Sequence, residues 1–307
     1  MQNVFFNSHG RVRSGWRFTV FLISYIIFAS SLTIGFVSIL SVLPVGAGQN
    51  SLITLVGTFS ILSSIAIFLG WFYGKFFEDL PFRSLGIWFT QNWFRNLVCG
   101  LIIGAISIGF AALIPLLFGA ITFQYNLGAG RSPIILTLAV TLLIFTVGAI
   151  SEEVLFRGYL LQTMSRTKLF GVGMLLTSVL FASAHNANPG ANFFSWLNTF
   201  LAGVWFCIAY RKTRDLWFPI GVHFAWNWVQ GSILGINVSG LGDLATAPLM
   251  RSEDFGPVWL TGGSYGLEGG ISCTLALVFS CGLIWILPFI KPNEELLEMS
   301  SEETGKI

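Results

Sequence analysis

Charge is what this sequence has least of. Only 10% of its 307 residues are Asp, Glu, Lys or Arg, and the mean hydropathy is +0.76. A soluble globular domain carries about 25% charged residues, so this chain has too little polar surface to cover itself in water. The shortage excludes a disordered protein, a nucleic-acid binder and an ordinary soluble enzyme. The charge that is present nearly cancels, with 16 Lys and Arg against 14 Asp and Glu, so no acidic partner is implied. Cysteine is also scarce. Cys99, Cys207, Cys273 and Cys281 lie in apolar stretches and form no CxxC pair, which reads as small buried hydrophobes rather than a redox or metal site. Histidine occurs three times and HExxH is absent, as are internal repeats and low-complexity tracts.

Long apolar runs are abundant instead. A bilayer core of about 30 Å needs roughly 20 apolar residues in a helix. Eight segments qualify: 18–43, 51–73, 97–118, 133–163, 169–187, 193–210, 216–235 and 271–290. The runs are continuous rather than alternating, so the expected fold class is all-α, a polytopic membrane helix bundle and not a barrel. Pro44, Gly46 and Gly48 punctuate the end of the first run, Pro133 the start of the fourth and Pro288 the end of the last. Arg11, Arg13 and Arg17 ahead of the first run resemble a signal peptide. The run from Phe18 to Leu43 is too long for a cleaved segment, and it is read as a retained helix.

Loop charges orient the bundle. With eight spans both termini share one side, which carries fourteen Lys and Arg, or thirteen if Arg157 lies within a span; the other side has only Arg131 and Arg251. This asymmetry places both ends in the cytoplasm of a bacterial cell membrane. Residues 74–96 are expected to form a cytoplasmic interfacial helix, 236–270 a Gly-rich extracytoplasmic loop, and 291–307 a mobile acidic tail. The chain divides into N-terminal helices with the interfacial loop (1–125), a central core (126–235), and the Gly-rich loop, last helix and tail (236–307), all one integral unit.

Polar side chains inside predicted spans are expensive and usually mark function. The fourth span contains Glu152, Glu153 and Arg157, the fifth Phe181 and His185, the seventh His223 and Asn227. At 1.5 Å per residue from the nearest cytoplasmic turn, Glu152 lies about 21 Å deep, His185 about 25 Å, His223 about 13 Å and Asn227 about 20 Å. All four can meet in one layer. Glu153 and Arg157 are four apart with the acid first, the order that favours an ion pair. Glu152 points about 100° away and has no partner nearby in sequence. His223 and Asn227 share a helix face, and Phe181 lies one turn from His185.

The sequence Glu152-Glu153-x-x-x-Arg157, then Phe181-x-x-x-His185, then His223-x-x-x-Asn227 resembles the CAAX-prenyl-protease and bacteriocin-processing (CPBP) family of intramembrane proteases. The family is also called the Abi family or the type II CAAX endopeptidase-like group. The resemblance covers residues 130–235, and the later Gly262–Gly270 stretch is similar to a segment of some bacterial members. It implies an endopeptidase acting on a peptide or protein substrate at the lipid bilayer, with no nucleic acid involved. In the prenyl-protein branch the cut follows a prenylated cysteine. Matched position by position, Glu152 and His185 would activate water, His223 and Asn227 would stabilise the oxyanion, and Glu153, Arg157 and Phe181 would support them.

Peptide hydrolysis needs a base, an activated water and a polarised carbonyl, and these residue types supply all three. The same side chains allow a zinc version, with Glu152, His185 and His223 as ligands and one open position. Two readings outside proteolysis remain at this point. A buried carboxylate with histidine also builds proton-coupled transporters, and a bacteriocin-immunity or scaffold protein can keep a protease fold without turnover.

Overall fold

The computed structural model describes residues 4–7, 10–43 and 47–305. Pro44 and Gly46, used above as sequence markers, lie outside them, as do the last two residues of the 291–307 tail. All eight apolar segments are helical. They are α1 (Ser14–Val42), α2 (Ala47–Glu78), α3 (Trp93–Leu117), α4 (Arg131–Glu153) continued by α5 (Leu161–Arg166), α6 (Phe170–Ala184), α7 (Phe193–Thr213), α8 (Trp217–Trp228) and, after a short α9 (Val258–Thr261), α10 (Ile271–Ile286).

Five helical stretches are long and apolar enough to cross a bilayer: 14–42, 51–78, 93–117, 131–166 and 193–213. Helices α6 and α10 are apolar but shorter, at 15 and 16 residues. Ile23, Ile27 and Phe28 of α1 and Val278 and Trp285 of α10 are exposed, so the apolar surface faces outward as it must in lipid. This is a multi-pass membrane helix bundle.

Backbone proximity sets the centre of the bundle. Helices α3 and α8 pack without side chains between them at Gly104 and Gly221. A Cβ on Gly104 would fall 2.3 Å from the Val222 carbonyl, and one on Gly221 would fall 2.5 Å from the Leu97 carbonyl. Such close approach is the usual basis of helix association in membranes, where apolar burial drives little. It fixes α8, and with it His223, against the core formed by Phe156, Phe181, Trp205, Phe206 and Trp226.

The end of the bundle that holds both chain termini is tied by buried charge. Glu78 at the end of α2 accepts from Arg17 of α1 and from Arg166 of α5, each at 3.0 Å, and from Thr163 at 3.2 Å. Arg17 and Arg166 are both among the fourteen charges counted on the cytoplasmic side, and in the fold they are almost wholly enclosed. Asp215, in the turn between α7 and α8, is also buried. It accepts from Asn96, Thr213 and the Phe218 amide. Burial pushes its carboxyl up to about 6, against the pull of those donors.

Three sequence expectations need correction. No interfacial helix fills 74–96: α2 runs on to Glu78, a short 3-10 turn spans Phe82–Leu85, and α3 begins at Trp93. The acidic tail is not free. Asn293 donates to Thr90 and Gln91, Arg83 pairs with Glu295 at 2.6 Å, and α11 (Glu294–Gly305) follows. The fold is also not purely helical. At the opposite end, β1 (Ile121–Tyr125) pairs antiparallel with β2 (Met250–Asp254), Ile121 opposite Asp254 and Tyr125 opposite Met250. That pairing folds the long 236–270 connection back over the bundle.

Candidate active site

Glu152 and Glu153 are the last residues of α4. There the regular helix widens into a π turn, Val154–Leu160, broken at Gly158 with φ −70° and ψ −126°. Wide turns of this kind are frequent at functional positions. Here the turn keeps Arg157 within reach of Glu153. The pair closes at 3.0 Å with both side chains fully buried, as the four-residue spacing implied. Arg157 also donates to the Gly203 carbonyl at 3.0 Å, and its guanidinium lies 4.6 Å from the Phe181 ring and 4.9 Å from the Phe206 ring. Charge pairing, a backbone acceptor and two aromatic faces together make this buried cation tolerable.

Glu153 has a second partner that sequence did not indicate. His223 Nδ1 lies 2.9 Å from the same Oε1 that Arg157 holds. A carboxylate only accepts, so Nδ1 carries the hydrogen and Nε2 is turned to the other side. That edge lies 3.7 Å from Glu152 Oε2, beyond hydrogen-bond length. Phe206 stacks on the His223 ring at 4.6 Å and 20°. The imidazole is thus held by a carboxylate at one edge and a flat ring on its face.

His185 stands at the C-terminal cap of α6, not within a regular span. Its Nδ1 is 2.8 Å from the Phe181 carbonyl, and its ring packs on Phe181 at 4.8 Å. A carbonyl cannot donate, so this Nδ1 also carries the hydrogen and leaves the Nε2 lone pair free. Glu152 Oε2 has no hydrogen-bond partner among the described residues, as its position off the Glu153–Arg157 face predicted.

Glu152, His185, His223 and Asn227 all line one cavity of about 110 Å³. The four side chains of the depth count thus share one cavity. His185 makes no ion-pair contact with either glutamate among the described residues. The zinc reading finds no support in the donor arrangement: no three His, Cys, Asp or Glu side chains among the described residues stand close enough to share an ion.

Sequence reasoning missed one cavity residue with chemistry of its own, Glu268. It belongs to the Gly262–Gly270 stretch beyond the recognised core, and only the fold of that loop brings it to the cavity wall.

Three comparisons with known proteins bear on the arrangement. Residues 133–229 match the family described as Rce1-like: type II CAAX prenyl endopeptidase Rce1-like. No curated protein matches the chain, and no solved structure does. The matched stretch runs from the start of α4 to the end of α8 and contains Glu152, Glu153, Arg157, Phe181, His185, His223 and Asn227. Through that segment, about a third of its length, the chain is similar to the Rce1-like type II CAAX prenyl endopeptidase family.

Proposed function

We propose that this protein is an intramembrane endopeptidase in which Glu152 and His185 activate a water, and His223 and Asn227 receive the negative charge that forms on the cleaved carbonyl. The observation that carries this reading is the placement of His223. It is clamped to Glu153 at 2.9 Å and turned toward Glu152 at 3.7 Å in a cavity among membrane helices. An imidazole fixed on one side by a carboxylate and open to a cavity on the other is poised for proton or oxyanion work.

The steps follow from the available atoms. Glu152 Oε2 takes a proton from the water while the free Nε2 lone pair of His185 orients it. The oxygen attacks the peptide carbonyl. Asn227 offers its amide hydrogens to the resulting oxyanion, beside the Nε2 edge of His223. Glu152 then returns its proton to the leaving amine, giving one carboxyl and one amine product. Glu153 and Arg157 hold His223 in place and balance each other's charge.

In this reading the chain crosses the bilayer about eight times with both ends cytoplasmic, in keeping with the thirteen Lys and Arg counted on that side once Arg157 is set aside. The cavity is walled by the 185–192 and 236–270 connections at the other end. The test is cleavage of a quenched fluorescent peptide by the purified full chain in detergent micelles. Wild type cleaves and Glu152→Gln does not; equal rates would remove Glu152 from the mechanism.

A further inference from the structure

At the end of the bundle that holds both chain termini, a cleft of about 720 Å³ opens between α6, α7 and the chain that follows α10. Its size lies within the range of about 300–1,000 Å³ common for ligand clefts. The cleft has two chemistries at two depths. Met174 lies four residues inside α6, and Ile208 lies five residues before the end of α7. The floor is therefore apolar for about 6–8 Å below the helix ends. Trp285, Pro288 and Ile290 extend the apolar wall. Arg211, Lys212, Arg214 and Lys291 stand in the same cleft where the helices end, and no lining residue is acidic.

These cations are positioned without being neutralised. The Arg211 guanidinium lies 4.7 Å from the Phe170 ring, a contact with the ring face that uses none of its N–H donors. Lys212 donates to the Trp285 carbonyl at 2.9 Å, and Arg214 donates to the Ser165 hydroxyl at 3.4 Å. Both acceptors are uncharged. None of the four cations pairs with a carboxylate among the described residues. The start of α6 adds to the same sign. Its first turn has no side-chain cap, and Phe170 and Gly171 of that turn line the cleft, so the positive end of the helix faces it. The positive-inside asymmetry accounts for cations on this side of the membrane. It does not require four of them to share one apolar cleft, while Arg17 and Arg166 at the same end are committed to Glu78.

We infer that this cleft is a binding site for an anionic phospholipid of the adjacent leaflet. The lipid phosphate sits among Arg211, Lys212, Arg214 and Lys291, and the upper part of an acyl chain lies against Met174, Ile208 and Trp285. Free phosphate would satisfy the cations alone and leave the apolar floor uncovered. A zwitterionic lipid would bring an ammonium group to a cleft that already holds four cations and no carboxylate. An anionic lipid matches both parts. Because it touches α6, α7 and the segment after α10 together, it stabilises the folded chain by binding it. The inference rests on the membrane fold and is independent of the proteolytic reading.

The test uses the purified full chain in micelles loaded with equal amounts of phosphatidylglycerol and phosphatidylcholine. Native mass spectrometry counts the lipid retained, and thermal melts with each lipid added read its effect on stability. A cation beside an anionic headgroup contributes a factor of about five. Wild type should retain phosphatidylglycerol over phosphatidylcholine by at least about tenfold, less than two such cations supply, and should melt higher with it. Arg211→Gln combined with Lys291→Gln should weaken phosphatidylglycerol binding by about 25-fold. Lys75→Gln combined with Arg95→Gln removes the same charge from exposed positions outside the cleft, and should bind as wild type does. Arg211→Gln alone, with an expected loss of about fivefold, serves if the double variant does not fold. Equal retention of the two lipids, or equal losses in the two double variants, would overturn the site. A melt raised as much by inorganic phosphate as by phosphatidylglycerol would overturn the lipid as its occupant.

Discussion

Replacing Glu153 by Gln separates the two tasks assigned to this carboxylate. The change keeps the shape and removes the charge. Arg157, fully buried and paired at 3.0 Å, is left with the Gly203 carbonyl and two ring faces. Breaking a buried pair by removing one partner costs about 3–5 kcal/mol, so unfolding in detergent should shift clearly to lower temperature. The second effect is on His223. A Gln amide can turn its NH₂ toward Nδ1, which breaks the bond that holds the ring and releases it from the pose that aims Nε2 at the cavity. In the Ser-His-Asp proteases the equivalent carboxylate-to-amide change lowers kcat by about 10⁴. Here His223 is assigned to oxyanion stabilisation rather than to the base, so a fall of about 10²–10³ is expected, with KM little changed. Steady-state cleavage of the quenched peptide, measured beside a thermal melt, reads both. Glu152→Gln provides the contrast: its Oε2 has no hydrogen-bond partner to lose, so it should lose activity while melting near wild type. A Glu153→Gln protein that cleaves at the wild-type rate would refute the orientation of His223 by Glu153.

Other predictions follow from the same geometry. His185→Ala and His223→Ala should each abolish cleavage while the protein still inserts and purifies as a folded species; normal cleavage by either would remove that residue's role. Glu78→Ala strands Arg17 and Arg166 inside the bundle. It should cost about 3–5 kcal/mol of stability, read as a lower melting temperature, with the folded fraction still active. For Asp215 the folded value of about 6 lies above the ordinary 3.8, so the native state holds the extra proton between those values. Stability should therefore rise as pH falls from above 6 toward 4. Melts of Asp215→Asn should lack that component, and an identical pH dependence in the two proteins would contradict the assignment.

Much of the candidate site was legible because helical spacing carries local geometry. Glu153 and Arg157, four residues apart, pair as their separation requires, and Glu152 stays unpaired because it leaves that face. The depth count, using only the rise of a helix, allows four side chains from three spans to share one layer, and all four line one cavity. What sequence hid depends on contacts between distant segments. The bond from Glu153 to His223 joins residues 70 apart, and the Glu78 bonds to Arg17 and Arg166 hide two of the charges counted on the cytoplasmic side. Glu268 reaches the cavity through a glycine turn whose path depends on Asn237 and Asn198. The strands β1 and β2 are five residues each and pair across more than a hundred positions, too short and too distant for any periodic signal.

Hydrolysis in ¹⁸O-enriched water tests the central claim most directly. If Glu152 and His185 activate water, a single turnover should place one ¹⁸O in the newly formed carboxyl, with no peptide covalently attached to the protein in its intact mass. A peptide–protein adduct, or a product carboxyl free of label in the first turnover, would show that a side chain and not water attacks the substrate.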